Sequence, residues 1–161
     1  MIGEIRIVER LNVFDPRVPG EDWWPYRIAN KIHFTTRENI LRREVLLQSG
    51  DPFEAPRVQE SGRNLRAVGS FRRADVRPAP RPDGKTDLHV HTQDAWTTQV
   101  RLAIGTEGGE RYFSYGIEEH NLFGYNKSLA FFHSQNGPTI RNDLRYTDPN
   151  MMGSRLRLST L

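Results

Sequence analysis

The chain has 161 residues, with 23 Lys and Arg, 20 Asp and Glu, and no cysteine. This length suits one ordinary domain or two small ones, and the absence of cysteine excludes disulfides and thiolate metal sites. The cations are scattered among the acids without forming a basic stripe, so nucleic acid is not an expected partner. No run approaches the roughly 18 apolar residues of a membrane helix, although membrane β-strands alternate and leave a weaker signal.

The first residues predict a strand, a loop and a helix. Apolar residues alternate with charged ones in IGEIRIVERLNVF, which is typical of a strand, and DPRVPGEDWWP is rich in Pro and Gly, which predicts a loop. In KIHFTTRENILRREVLLQSGDPF we expect a helix that is capped by Thr35 or Thr36 and stopped by Gly50.

A second helix is expected from about Pro56 to Val68, because proline suits a first helical turn and Gly69 follows. Two alternating runs, SFRRADVRPAP and KTDLHVHTQD, then flank Asp83-Gly84, which is a strong hairpin signal. The order strand, helix, helix, strand, strand predicts a small α+β unit with its helices on one face of a sheet.

After Trp96 the pattern changes to strands alone. Turn-like segments separate five alternating runs, and this arrangement predicts an antiparallel meander. In the fourth run, Ile140, Leu144 and Tyr146 share one face and Arg141, Asp143 and Arg145 the other. The last run sets Leu156 and Leu158 against Arg155 and Arg157. The five runs are TTQVRLAIG, RYFSYGIEEHNLFG, KSLAFFHSQ, TIRNDLRYTD and SRLRLSTL.

The strongest candidate for an acid–base site is the cluster Glu118, Glu119 and His120. On a strand, Glu118 and His120 share one face and Glu119 takes the other, so the two carboxylates cannot converge on one substrate. A Glu–His couple could do acid–base work, but no nucleophile or oxyanion site accompanies it. The same three residues are equally typical of the solvated end of a strand, so no catalytic residue is assigned.

His89 and His91 lie two apart on one predicted strand, with Asp87 in line. This spacing can bind a divalent metal, but a site needs a further ligand from elsewhere. His33 and His133 have no partner visible in the sequence. No metal or cofactor is therefore expected, and a metal-dependent enzyme that uses His89 and His91 is kept only as an alternative.

The first unit resembles a POTRA (polypeptide-transport-associated) domain. The resemblance rests on TRENILRREVLLQSGDPFE, on the second helix in VQESGRNLRAVGSFRRADV, and on the step Gly69-Ser70-Phe71 that opens the next strand. The second unit resembles the opening barrel strands of the bacterial surface-antigen or BamA/TamA-type family of outer-membrane assembly and translocation proteins. The pattern G-x-x-x-x-N-x-x-G matches at Gly116, Asn121 and Gly124, and LRYTDPNMMGSRLRLS resembles the strand–turn–strand that follows.

The resemblance implies an α+β POTRA-like domain (β-α-α-β-β) over residues 1–95. An antiparallel β meander follows over residues 96–161 as the N-terminal part of an outer-membrane β-barrel. Closed barrels need about eight strands, so we expect an N-terminal portion of a longer protein or an incomplete gene model. The implied function is assembly, insertion or translocation of polypeptides at the outer membrane, without catalysis, with the POTRA part in the periplasm.

Expected partners are an unfolded outer-membrane protein or exported polypeptide and outer-membrane lipid, and the family resemblance also allows for periplasmic accessory subunits. Client strands would add to an exposed sheet edge by β-augmentation, at Phe71–Pro78 or at Ile5–Val13. The residues assigned to client binding are Phe71, Arg73, Asp75, Val76 and Arg77. The resemblance also implies a barrel gate strand with Thr98, Val100, Leu102 and Ile104.

The alternative from another class is a soluble α+β binding module followed by a β-sandwich. A membrane barrel predicts that the apolar face of the meander meets lipid and that the Arg/Asp face lines a lumen. A sandwich predicts that a second sheet covers the apolar face.

Overall fold

The computed structural model describes residues 1–151, 154 and 156–160. The chain divides into two compact units, Met1–Trp96 (unit 1) and Thr97–Leu161 (unit 2). The boundary predicted from the sequence lies one residue earlier. Unit 1 is a mixed α/β domain, and unit 2 is an antiparallel meander.

Unit 1 contains a three-stranded sheet with β3 in the centre. Its strands are β1 (Ile2–Leu11), β2 (Phe71–Pro80) and β3 (Thr86–Asp94), in the order β1-β3-β2. β3 runs parallel to β1 and antiparallel to β2, to which the Asp83-Gly84 turn connects it. Both β1 and β2 are therefore edge strands of this sheet.

Three helices connect β1 to β2: α1 (Trp24–Ile32), α2 (Glu38–Glu44) and α3 (Ala55–Ala67). The predictions of two helices and of a loop through residue 25 were wrong, because α1 begins at Trp24. Pro25 lies in its first turn, where a missing N–H costs no helical hydrogen bond. α3 agrees with the predicted second helix to within one residue at each end.

The predicted extent and cap of α2 were also wrong. The helix ends at Glu44, not at Gly50, and its N-cap is Arg37 without a side-chain capping bond. Thr36 instead donates its backbone N–H and its hydroxyl to Asp94, at 2.6 and 3.1 Å. The carboxylate of Asp94, at the end of β3, thus fixes the segment that leads into α2.

The core of unit 1 lies between α2, α3 and one face of the sheet. It joins Leu41 of α2, Val58 and Leu65 of α3, and Leu88 and Val90 of β3, all less than a tenth exposed. Each fully buried Leu or Val stabilises the fold by roughly 1.5–3 kcal/mol. The opposite face of β3 carries Asp87, His89 and His91.

Unit 2 is a five-stranded antiparallel sheet in which each strand pairs with its neighbours in the chain. Two-residue turns follow β4 and β6, and a 3-10 turn at Leu122–Gly124 separates β5 from β6. The predicted second run therefore ends at Glu119 and not at residue 124. The strands are β4 (Thr98–Glu107), β5 (Glu110–Glu119), β6 (Ser128–Asn136), β7 (Thr139–Asp148) and β8 (Leu158–Thr160).

Parts of the predicted last turn and strand, namely Met152, Gly153, Arg155 and Leu161, lie outside the described residues. No helix within the described part of the chain combines the length and apolar character needed to cross a bilayer.

Candidate functional site

One face of unit 2, here called the apolar face, carries aligned hydrophobic side chains from successive strands. The register places Val100 opposite Ile117, Ile117 opposite Phe131, and Phe131 opposite Leu144. These side chains are exposed or half-buried, and Leu102 and Ile104 are 73% and 83% exposed. The described residues of unit 2 form a single sheet, whereas a β-sandwich needs two sheets packed face to face.

The other side of unit 2, here called the charged face, carries ion pairs and the aromatic rings of Tyr112 and Phe132. Arg101 lies 2.9 Å from Glu118, and Arg141 lies 3.0 Å from Asp143. The guanidinium carbons of Arg101 and Arg145 lie 5.6 and 5.3 Å from the centre of the Phe132 ring. Cation–π contact therefore connects charges on β4 and β7 through β6.

Glu118, Glu119 and His120 have separate structural partners. Glu118 pairs with Arg101, and its other oxygen lies 3.9 Å from His120 Nε2. Glu119 accepts hydrogen bonds from the Thr97 and Thr98 hydroxyls and from the Asn121 N–H. The two carboxylates thus serve different contacts, as expected from strand alternation.

The family-like pattern Gly116, Asn121 and Gly124 has a local physical explanation. The Phe132 ring lies across Gly116, where a Cβ would come within 2.8 Å of Phe132 Cε1. Asn121 is buried, and its side-chain oxygen accepts the Asn126 N–H at 2.9 Å. Gly124 has φ = +78°, in the left-handed region that favours glycine. The pattern therefore fixes one close packing contact and the turn after β5.

β4 is an edge strand, and the residues predicted to form the gate face its open side. His120 N–H donates to Thr97 O at 3.1 Å, so Thr97 and His120 form a hydrogen-bonded pair at the start of the β4–β5 ladder. Since such pairs alternate along an antiparallel ladder, the even-numbered residues of β4 turn their backbone N–H and C=O away from β5. Thr98, Val100, Leu102 and Ile104 all belong to this set.

The same reasoning orients the edge of β2. Arg81 N–H donates to Lys85 O at 2.8 Å. Arg81 and Lys85 therefore form a hydrogen-bonded pair that continues the register of the β2–β3 ladder beyond Pro80 and Thr86. Arg73, Asp75 and Arg77 therefore bond to β3, whereas Val76 points its N–H and C=O outward. Phe71 lies beyond a register shift. Of the five residues assigned to client binding, Val76 is the one within the regular ladder whose backbone faces outward.

The predicted edge Phe71–Pro78 includes Ala74, which also faces outward although it was not among the assigned residues, but sequence reasoning missed what restricts this edge. Arg66 of α3 donates to Ala74 O at 3.0 Å, so one acceptor of the edge is already occupied. Pro78 and Pro80 face outward too and have no N–H to offer. The part of the β2 edge that keeps both an outward N–H and an outward C=O is therefore short and centred on Val76, and α3 comes close to it, since a Cβ at Gly62 would lie 3.9 Å from Val76 N.

The β1 edge is occupied at its beginning. Ile2 N–H donates to Asp51 O at 2.7 Å, and Gly50 N–H donates to Ile2 O at 2.9 Å. Register shifts interrupt the β1–β3 ladder after Ile2 and after Ile7. Such irregularities make a strand a poorer template for pairing, so β2 is the more regular of the two edges.

His89 and His91, the two histidines considered as metal ligands, have different neighbours in the sheet of unit 1: His89 lies between Arg6 of β1 and Arg77 of β2, whereas His91 lies near an acidic side chain. His91 Nδ1 lies 3.7 Å from Glu9, and the Arg17 guanidinium that donates to Glu9 holds the pKa of this carboxyl below its usual value. No cluster of three His, Asp or Glu side chains suited to a metal ion occurs in the described ranges.

The two histidines without a partner visible in the sequence have partners in the structure. His33 Nε2 lies 3.1 Å from the buried Asp94, and His133 Nδ1 lies 2.8 Å from Asn142 Oδ1. Both contacts join residues that are distant in the sequence or on neighbouring strands. Each histidine is thus accounted for by a local structural contact.

Comparison with known proteins points in one direction. The outer membrane protein assembly factor BamA of Neisseria meningitidis is 29% identical over 128 residues, which cover 75% of this chain and 16% of that protein. BamA of Nitratidesulfovibrio vulgaris is 29% identical over 124 residues, or 72% of this chain and 15% of that protein. The resemblance to the BamA/TamA-type family is confirmed. No protein-family model matches the chain.

The fold agrees with this family resemblance. The crystal structure of BamA from Haemophilus ducreyi lacking POTRA domains 1-3 superimposes with a TM-score of 0.66 at 21% identity, over 96% of this chain and 26% of that one. At this identity the match concerns the fold alone. The chain spans about one sixth of the length of its BamA relatives.

Proposed function

We propose that this chain is the part of a BamA-type outer-membrane assembly or translocation factor that joins a periplasmic domain to the first barrel strands. Unit 1 is a POTRA-like periplasmic domain whose β-α-α-β-β core consists of β1, α2, α3, β2 and β3, with α1 inserted after β1. Unit 2 forms the first strands of a transmembrane β-barrel. The BamA relatives and the fold match support the proposal at the level of the family.

The single observation that carries the proposal is the two-sided character of unit 2. A bilayer requires an apolar outer face on a membrane strand, and a barrel interior tolerates charges. The apolar face is exposed in this structure, whereas Arg101–Glu118 and Arg141–Asp143 lie on the charged face. In the proposed orientation the apolar face meets lipid and the charged face lines the lumen.

Client polypeptides are recognised as strands at open sheet edges. The outward backbone groups of Val100 and Leu102 would template a client within the membrane, where an unpaired polar group costs several kcal/mol. The edge at Val76 would accept a client strand in the periplasm by β-augmentation. Backbone pairing of this kind recognises many sequences, as an assembly factor requires.

This mechanism needs no covalent step and no cofactor. Its proposed partners are an unfolded outer-membrane protein or exported polypeptide and the outer-membrane lipid. Periplasmic accessory subunits remain a prediction from the family resemblance.

Single-cysteine labelling tests the proposal directly, because the chain has no native cysteine. Spin labels at Leu102, Ile117 and Leu144 on the apolar face should be relaxed by oxygen, which concentrates in lipid, when the chain is reconstituted in vesicles. Labels at Arg101, Ser134 and Arg145, on the charged face of β4, β6 and β7, serve as matched controls. They should be relaxed by a water-soluble nickel chelate instead.

Two results would contradict the proposal. Equal accessibility of the two faces to the nickel chelate would place unit 2 in water. Protection of the apolar-face labels from both reagents would show that protein covers that face, as a β-sandwich requires.

A further inference from the structure

Helix α1 has an exposed apolar stripe that the predicted β-α-α-β-β core does not use. Trp24, Ile28 and Ile32 recur every four residues and therefore lie along one side of the helix. Trp24 is 63% exposed and Ile32 is 62% exposed, and Ile28 is about half exposed. No residue of α1 is buried, so the stripe has no place in the core of unit 1.

The opposite side of α1 holds the helix against unit 1. The Tyr26 ring packs on Phe14 with ring centres 4.3 Å apart. The Asn30 side chain donates to Phe14 O at 2.8 Å and accepts the Phe14 N–H at 3.1 Å, and Asn12 donates to Asn30 O at 2.9 Å. These contacts fix which side of α1 faces outward.

Positive charge borders the apolar stripe. At 100° per residue, Arg27 and Lys31 fall directly beside Trp24 on the helical wheel, on the side away from Ile32. Residues 22–37 contain one acid, Asp22, against three bases, Arg27, Lys31 and Arg37. Glu21, just before this stretch, forms an ion pair with Arg72 and accepts a hydrogen bond from the Asp15 N–H.

We propose that α1 is an interfacial anchor that lies on the surface of an anionic phospholipid membrane. Trp24, Ile28 and Ile32 enter the boundary between headgroups and acyl chains, and Arg27 and Lys31 contact lipid phosphates. An apolar stripe with tryptophan beside a basic stripe is the composition that binds such surfaces. The exposed Trp23, which contacts Trp24 edge-to-face at 6.0 Å, extends the aromatic end of the anchor.

The basic residues beside the apolar stripe favour a lipid surface over an apolar protein groove as the binding partner of α1. A helix that docks in a groove needs apolar anchors, but it does not need cations along one side. The inference rests on the proposed function in one respect only, namely that a membrane is the setting in which the chain works.

The experiment uses the whole chain with Trp96→Phe, so that Trp23 and Trp24 are its only tryptophans. The chain is mixed with phosphatidylglycerol/phosphatidylcholine vesicles that carry bromine at defined acyl depths, and vesicle flotation is measured in parallel. Fluorescence should shift to the blue, and bromines near the headgroup should quench it more than deep ones. Pure phosphatidylcholine vesicles should give weaker quenching.

Three variants sharpen the test. Ile28→Asp should abolish the quenching, and Lys31→Glu should reduce it in anionic vesicles only. Val18→Asp, a matched change at an exposed apolar residue of the preceding loop, should leave it unchanged. Far-UV circular dichroism checks that each variant keeps the fold.

The outcomes separate this inference from the proposed function. A chain that floats with vesicles but shows no quenching of Trp23 and Trp24 overturns the anchor and leaves the proposed function standing. Quenching that Ile28→Asp does not change overturns the anchor as well. A chain that does not float contradicts both proposals.

Discussion

The ring of Phe132 lies across the backbone of Gly116 on the charged face of unit 2. Beyond the ring itself, a Cβ at Gly116 would lie 3.1 Å from the carbonyl oxygen of Phe131, which cannot move without disturbing the β5–β6 pairing. We therefore expect Gly116→Ala to destabilise unit 2 by about 1–3 kcal/mol, the usual cost of overpacking. Urea unfolding of the chain in detergent micelles, followed by far-UV circular dichroism, measures this loss.

Gly105 provides the matched control for Gly116. It lies on neighbouring β4, and a Cβ there would meet no atom within 4 Å. Gly105→Ala should therefore leave the unfolding midpoint nearly unchanged. Equal losses in the two variants would mean that strand flexibility, and not contact with Phe132, explains the need for glycine at residue 116.

The carboxylate of Asp87 makes the stability of unit 1 depend on pH. The Glu4 N–H donates to Asp87 at 2.8 Å, and together with the nearby Arg81 and Arg6 it holds the pKa of Asp87 below its ordinary value of 3.8. Because this pKa is lower in the folded chain than in the unfolded one, the stabilisation is present above about pH 4. It is lost as the pH falls through the lower, folded value.

Asp87→Asn should reduce the loss of stability as the pH falls below about 4, and it should also lower stability at neutral pH. Glu9 and Asp15, whose pKa values are also lowered, leave part of the acid sensitivity in place. Tryptophan fluorescence during urea unfolding reports on unit 1 alone, because all three tryptophans lie there. Exposed Asp22→Asn is the control, and an identical acid profile in both variants would refute the assignment.

At the scale of elements, the end of α2 shows what local sequence patterns cannot provide. Val45 and Leu47 continue the apolar stripe of a helix, yet both are buried in extended chain. The Leu46 N–H donates to Ser61 at 2.9 Å and its carbonyl accepts from Arg57, so α3 replaces the helical hydrogen bonds. These partners lie 11–15 residues away in the sequence.

The strands and their turns were more predictable than the helices. Alternation alone predicted β7 at its observed limits, and Asp83-Gly84 predicted the β2–β3 turn. The gate residues on β4 were assigned by family resemblance, and the ladder geometry explains why they share one open side. α1 was missed because its apolar stripe is exposed and Pro25 at its start is typical of a loop.

The edge of β2 permits a paired prediction for client binding. Val76→Pro removes an outward N–H without breaking the β2–β3 ladder, whereas Val76→Ala keeps the N–H and shortens the side chain. We expect Val76→Pro to weaken binding of a labelled peptide with the sequence of Thr98–Glu107 by about tenfold, and Val76→Ala to have little effect. Fluorescence anisotropy measures both affinities.

Arg66→Met should change binding in the opposite direction, because it releases the Ala74 carbonyl that Arg66 now occupies. The gain should be a few-fold, the net contribution of about one hydrogen bond. Unchanged affinity in both Val76→Pro and Arg66→Met would show that the peptide binds elsewhere than at this edge.

At the scale of the whole molecule, the two units differ in how much of their apolar surface they bury. Unit 1 has an aliphatic core between α2, α3 and its sheet and exposes only smaller apolar areas such as the stripe on α1, whereas unit 2 is a single sheet whose whole apolar face stays open. Open apolar faces and strand edges both favour association in water. Association of the chain should therefore originate in unit 2, and it should be relieved by anything that covers the apolar face.

Ile104→Glu and Ala103→Glu test this origin with the same added charge on opposite faces of β4. Ile104 is 83% exposed on the apolar face, whereas Ala103 lies on the charged face beside Arg101. In detergent-free buffer, Ile104→Glu should lower the weight-average mass measured by light scattering, because its charge opposes burial of that face. Ala103→Glu should leave the mass unchanged, and detergent micelles should disperse every form. Equal masses for both variants in buffer would instead place the association at the open strand edges, which these side chains do not alter.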